Sequence, residues 1–204
     1  MRMVIRGVVA LLILLAAYWG WALAGTAQLA SAASRSDPEA VMERIDLQPL
    51  IRSLSSQISQ AYLNENPNLK NPQSPHPSLA LNAAAAEMLL RALLTPDNIS
   101  MLLNHGRVGV LNAAGKDAGT VWGMPSLGEA FNARPLEVLT HSYFNGPLSF
   151  VVGLESPDGL YRLHMRLSGI TWRLSAVDIP EPVMARVANL IAQRIGGAVT
   201  LPGG

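Results

Sequence analysis

From Gly7 to Ala24 the chain runs GVVALLILLAAYWGWALA, eighteen residues without a charge. At about 1.5 Å per residue such a helix is about 27 Å long, close to the roughly 30 Å hydrocarbon core of a bilayer. Uncharged sequence continues to Ser34, so further length is available. A core helix of a soluble protein usually keeps a polar face, and this stretch has none. Arg2 and Arg6 precede the run. By the positive-inside rule they keep the N-terminus cytoplasmic and send the rest across the membrane. Tyr18, Trp19 and Trp21 cluster near the far end, where amphipathic rings favour the membrane interface. These five residues are the candidate membrane-anchor residues. The expectation is a single-pass span over about residues 4–24 in the cytoplasmic (inner) membrane. The domain then lies in the periplasm or outside.

The competing reading is a cleaved signal peptide, which needs a basic start, an apolar run and a small-x-small site. Ala22-Leu23-Ala24 and Ala30-Ser31-Ala32 both fit that site. The run exceeds the usual 7–15 apolar residues, and tryptophans stand just before the first site, so the anchor is preferred. A secreted soluble domain remains the alternative.

Composition removes whole classes of function. The 204 residues carry 15 basic and 14 acidic side chains and no cysteine. Disulfides, thiolate metal sites, a cysteine nucleophile and a lipidated cysteine are therefore excluded. Near-neutral charge without a basic stripe argues against nucleic-acid partners, whose binding rests on phosphate neutralisation. No polybasic run for anionic lipid stands in the sequence either.

Past the apolar run, Gly25–Ser34 either extends the helix or forms a short tether. Ser36-Asp37-Pro38-Glu39 reads as a capping box opening a short helix, with Ala40, Val41 and Ile45 turned inward. Leu47, Leu50, Ile51, Leu54, Ile58, Ala61 and Tyr62 recur at three and four, which makes an amphipathic helix. Residues 64–77 hold four prolines and four asparagines and read as a loop. Residues 78–94 are apolar nearly all round, and the most buried helix of the domain is expected there. Thr95-Pro96-Asp97 restarts a helix, with Ile99, Leu102 and Leu103 inward and Gly106 as its C-terminal cap. Residues 106–125 read as a loop with at most a short strand. Ser126 to Glu129 reads as a second capping box.

The last third changes period. Alternation over 138–144, 148–154, 160–167 and 171–179 predicts an antiparallel meander of three to four strands. Its turns fall at Ser156–Gly159 and Ser168–Gly169, and Pro180 stops the last strand. Residues 181–195 predict a closing amphipathic helix, and 196–204 a glycine-rich end. The fold class expected is α+β, with helices on one face of the sheet. The domain boundaries expected are 1–34 for N-terminus, span and tether, 35–198 for a single domain, and 199–204 for a flexible tail.

The order of features resembles a bacterial family known as domain of unknown function 2939. RIDLQPLIRSLSSQI (44–58), LLTPDNISMLL (93–103) and the meander LSFVVGL, LYRLHMRL and TWRLSAVDIP carry the resemblance, behind the apolar N-terminal segment. The region 104–134 is its weakest part. The resemblance implies membrane association and brings no activity.

No motif carries chemistry. Gly115-Lys116 lacks the upstream glycine and the following Ser/Thr of a phosphate loop. Around Ser126, Met124 stands where a nucleophile elbow needs glycine, so helix capping explains the serine. His76, His105, His141 and His164 show no metal-ligand spacing. Arg162, His164 and Arg166 share one strand face, which reads as the solvated side of the sheet. No catalytic residue, metal or cofactor is expected. The leading expectation is a non-enzymatic binding or interaction module for a protein partner or an apolar ligand between helices and sheet. The rival is an envelope hydrolase whose site gathers His141, Glu155, His164 and Asp178 from a distance.

Overall fold

The computed structural model describes residues 2–65, 87–88, 90–111 and 117–187; for 65, 107–111 and 117–123 only the backbone course is described. Helix α1 is Arg2–Ser34, α2 Pro38–Met42 and α3 Leu47–Glu65. Residues 90–93 are helical. Helix α4 (Pro96–His105) leads into the hairpin β1 (Arg107–Leu111) and β2 (Asp117–Gly123). Helices α5 (Leu127–Ala133) and α6 (Pro135–Thr140) precede the meander β3 (Ser142–Phe144), β4 (Ser149–Ser156), β5 (Gly159–Ser168) and β6 (Thr171–Asp178). A helical stretch at 181–187 follows. The class is α+β as expected, with sheet order β3-β4-β5-β6 and antiparallel pairing throughout.

Helix α1 is one unbroken helix of 33 residues, about 50 Å long. Its two halves live in different surroundings. Every residue from Arg2 to Ala17 is exposed, whereas Ala22, Gly25, Thr26, Leu29, Ala30, Ala32 and Ala33 are buried. Gly25–Ser34 is thus no tether. It supplies small residues to the core and packs against α2, α4, α5 and β6. The close approach depends on Gly25: a Cβ there would stand 2.7 Å from Trp172 Cβ. Alanine and glycine let backbones meet, and of the two expectations for this stretch, helix extension or tether, the structure shows the extension.

The helix ends in a Schellman turn. Ser36 is left-handed at φ 53°, the Asp37 N–H reaches the Ala32 carbonyl, and the Ser36 N–H reaches that of Ala33. The cap of α2 therefore falls one residue later than expected: Asp37, not Ser36, accepts from the Ala40 N–H, at 3.1 Å. Val41 and Ile45 are buried as their spacing requires. Residues 44–46 then run beside β6, where the Leu174 N–H donates to the Arg44 carbonyl and the Asp46 N–H to that of Leu174.

Leu50, Ile51, Leu54 and Ile58 of α3 face the sheet. In α4, Thr95 caps the Asn98 N–H, and Gly106 closes the end at φ 67°. That glycine cannot be exchanged freely, because a Cβ would lie 1.7 Å from the Met124 carbonyl oxygen. Ser126 caps α5 through the Glu129 N–H, as the capping box predicts.

Three expectations differ. The glycine-rich stretch after Gly106 forms an antiparallel hairpin with two irregularities in register. Glycines had hidden its alternation. The strand expected over 138–144 is mostly helix α6, and only Ser142–Phe144 is strand. Pro135 at the first turn and Glu137 near the positive helix end favour the helix there. Around 87–93, Met88 points outward, 74 % exposed, although Leu90 and Leu94 are buried. The closing helix is described over 181–187, with Val183, Met184 and Val187 buried. The loop and most of the helix expected over 66–86, and the chain after 187, lie outside the described residues.

Candidate functional site

The exposed half of α1 meets the domain through an aromatic cluster. Tyr18 stacks on Phe144, with centroids 5.1 Å apart and planes at 16°. Trp21 and Phe150 approach Trp172 edge-on at 6.1 and 6.3 Å. Trp19 meets Phe150 at 88°. The Tyr18 hydroxyl donates to the Pro147 carbonyl in the β3–β4 turn. The offset and edge-on geometries are those aromatic rings prefer, each contributing about 0.5–1.5 kcal/mol beyond burial. Tyr18, Trp19 and Trp21 thus clamp the helix to the sheet. That role needed partners (Phe144, Phe150, Trp172) more than a hundred residues away in the chain, so local sequence carries no sign of it. Arg2 and Arg6 are exposed at the far end of the helix.

Trp172 is the centre of the clamp and 1 % exposed. Its indole Nε1 has no hydrogen-bond partner among the described residues. A buried orphan donor costs about 1–3 kcal/mol, which the ring packing must offset.

The structure brings the four distant candidates together as two separate pairs. His164 Nε2 donates to Asp178 Oδ2 at 2.8 Å across β5 and β6. That bond holds the Asp178 carboxyl below the usual carboxylate range; burial opposes it, and the charges of His164 and Arg162 add to it. His141 Nε2 lies 3.2 Å from Glu155 Oε1, and its Nδ1 lies 2.9 Å from the Glu137 carbonyl oxygen. Both nitrogens of His141 are therefore engaged. Ser175 donates to the His164 carbonyl at 3.1 Å and not to the ring. The Thr140 hydroxyl lies 3.3 Å from His141 Nδ1 and donates to the Glu137 carbonyl at 2.9 Å, so His141–Glu155 ties the end of α6 to β4 while His164–Asp178 ties β5 to β6.

Because Asp178 is held low, its pair stabilises the fold above the unfolded carboxylate value of about 3.9 and loses that contribution as pH falls through the native value. Wild type should therefore exceed Asp178→Asn in stability at neutral pH, with the gap shrinking below about pH 4. Urea midpoints across that range measure it, and a pH-independent gap would contradict the pairing.

A cleft of about 370 Å³ opens between α4, α5, α6 and the far end of β4. His105, Ser126, Glu129, Arg134, Glu137 and Glu155 line it. Ser126 is occupied as a helix cap. Arg134 lies 3.5 Å from Glu137. Among the described residues no group of three or more His, Asp or Glu could hold a metal ion. Elsewhere, burial pushes the Tyr161 phenol up to about 12, Asp158 adding to the rise and Arg186 opposing it, so it is neutral at physiological pH. Between α3, α4 and the sheet the free space is about 30 Å³, lined by Leu50, Leu54, Leu103 and Tyr161 among others. Among the described residues that space is small and wholly apolar in its lining apart from Tyr161.

Helix α1 is long and apolar enough to cross a membrane. No curated protein and no solved structure matches the chain. The meander, counted above towards the resemblance, lies outside the one stretch a family model matches. Residues 11–102, from the exposed half of α1 into α4 and just under half of the chain, match the model of the family described as a protein of unknown function (DUF2939), the family that the sequence resembles.

Proposed function

We propose that the chain is a single-pass membrane protein held by an uncleaved α1, with its N-terminus cytoplasmic and its α+β domain on the extracytoplasmic side. One observation carries this reading: the exposed apolar half of α1 continues, unbroken, into the core. Both small-x-small sites lie in the inserted half. Ala22 is fully buried, and Ala30 and Ala32 are nearly so. Cleavage after Ala24 would strip the aromatic clamp, and cleavage after Ala32 would also remove Leu29 and Thr26. A signal peptide is normally separable from the fold it exports, and this helix is not. Arg2 and Arg6 support the orientation.

Intact mass of the protein recovered from membranes tests the reading. The full-length mass, or that mass less Met1 alone, supports it, and a species starting at Gly25 or Ala33 overturns it.

The domain itself reads as a non-enzymatic interaction module. The small space between α3, α4 and the sheet disfavours an apolar ligand at that place, and the open polar cleft between α4, α5, α6 and β4 is the surface we assign to a protein partner. Crosslinking in cells through a photoreactive residue at Glu129 or Arg134 should trap a partner. A consistently uncrosslinked protein removes the support for this part.

A further inference from the structure

The end of the sheet from which α1 leaves the domain has a composition unlike the rest of the surface. The β3–β4 turn (145–148) and the β5–β6 turn (169–170) lie together there: Ser149 pairs with Arg166, Ser168 with Thr171, and the Leu167 N–H donates to the Leu148 carbonyl. The Tyr18–Pro147 bond fixes α1 to the same end. Trp21, Ile170 and Trp172 share the lining of a small cavity beside it. Leu148 is 56 % exposed and Ile170 83 %. Solitary exposed aliphatics are ordinary, but these two tip adjacent turns at the base of an exposed apolar helix.

The carboxylates of the meander are segregated as well, with Arg162 beside them. Its carboxylates, Glu155, Asp158 and Asp178, stand at the opposite end, near the β4–β5 turn. At the helix-exit end Arg166 and Arg173 are exposed and directly opposite one another on β5 and β6. Neither forms an ion pair among the described residues. Like charges directly opposite are destabilising unless an anion lies between or above them. Half-buried Arg44 lines the cavity with Trp21 and Ile170, though Glu43 adjoins it in the chain.

Length decides where this end sits. A span of about 20 residues crosses the hydrocarbon. Counted from Val4, where the expected span begins, it ends near Leu23, within a turn of Trp21 and of the level of the two turns. There is no flexible joint between span and domain, because the helix is continuous.

We propose that this end of the sheet is a membrane-contact surface. Leu148, Ile170 and Trp21 enter the interfacial layer of the leaflet, and Arg166 and Arg173 face its anionic headgroups. The proposal rests on the anchor reading above. It makes the domain a fixed, flush attachment to the bilayer with one orientation, its acidic cleft side turned away from the lipid.

The absence of cysteine makes the test clean. Leu148→Cys, Ile170→Cys and, as the far-end control, Pro157→Cys are each introduced into the full chain and labelled with a polarity-sensitive fluorophore. The proteins are reconstituted into phosphatidylcholine vesicles, with and without phosphatidylglycerol, that carry a headgroup spin-labelled quencher lipid. Labels at 148 and 170 should be quenched several-fold more than the label at 157, and more strongly with phosphatidylglycerol present. Adding Arg166→Glu and Arg173→Glu should abolish that extra quenching. Equal quenching at all three positions overturns the proposal, and indifference to phosphatidylglycerol overturns its headgroup part. Alkaline carbonate treatment of the same vesicles separates the two readings. If the chain is released, the anchor has failed and the surface with it; if it is retained while 148 and 170 stay unquenched, the surface alone has failed.

Discussion

A chain that begins at Ala33, the product of cleavage after Ala32, should not fold cooperatively. Deleting residues 1–32 removes Ala22, Leu29, Ala30 and Ala32 from the core, and the buried Thr26 with them. It also uncovers Trp172, which Tyr18, Trp21 and Gly25 cover. Losing a buried leucine side chain alone costs about 2–5 kcal/mol, and exposing a large apolar side chain such as Trp172 costs roughly another 1.5–3. With the alanines added, the loss is comparable to the whole stability of an ordinary domain, about 5–15 kcal/mol. Urea unfolding followed by near-ultraviolet circular dichroism should show no sigmoidal transition. Deleting residues 2–17 is the matched control. All sixteen are exposed, so the shortened chain should unfold with the full chain's midpoint while losing membrane retention. A cooperative transition near the full-length midpoint for the chain starting at Ala33 would mean that α1 is an accessory to the fold.

Trp172→Ala should cost about 3–5 kcal/mol, the usual range for emptying a large aromatic site. The ring touches Tyr18, Trp21, Phe144 and Phe150, so its loss loosens helix and sheet at once. Trp172→Phe distinguishes packing from polarity. It keeps a ring against the same neighbours and removes the orphan indole donor, worth about 1–3 kcal/mol of desolvation. Its cost should therefore be far smaller than that of alanine. If phenylalanine and alanine are equally destabilising, the indole shape and not the aromatic cluster holds the clamp. Differential scanning calorimetry of the three proteins reads both effects.

Much of the local structure was legible. Capping chemistry at Thr95 and Ser126, the left-handed Gly106 and the strict alternation of Leu160–Leu167 each act within a few residues, so their outcomes stand in the sequence. The failures share a cause. Strand and helix compete over 138–144, and there a proline four residues upstream of Leu139 outweighs a short alternation. Glycines in β1 and β2 blur a period that backbone pairing across the hairpin restores. Ser36 and Asp37 could each cap; the Schellman turn that commits Ser36 to φ 53° depends on α1 running on to Ser34.

The candidate site was legible only in part. The sequence by itself determined that Gly7–Ala24 is apolar, uncharged and preceded by Arg2 and Arg6, because transfer to hydrocarbon depends on composition and length alone. It also determined the α+β class, since period follows from local geometry. Tertiary structure decided everything about how those parts meet. It set small residues 22–33 into the core, turned interfacial aromatics into a clamp on Trp172, joined His141 to Glu155 and His164 to Asp178 as structural pairs, and gathered Leu148, Ile170, Arg166 and Arg173 at the helix exit. Burial and charge segregation depend on which residues are neighbours in space, and the folded chain brings together positions that stand more than a hundred residues apart.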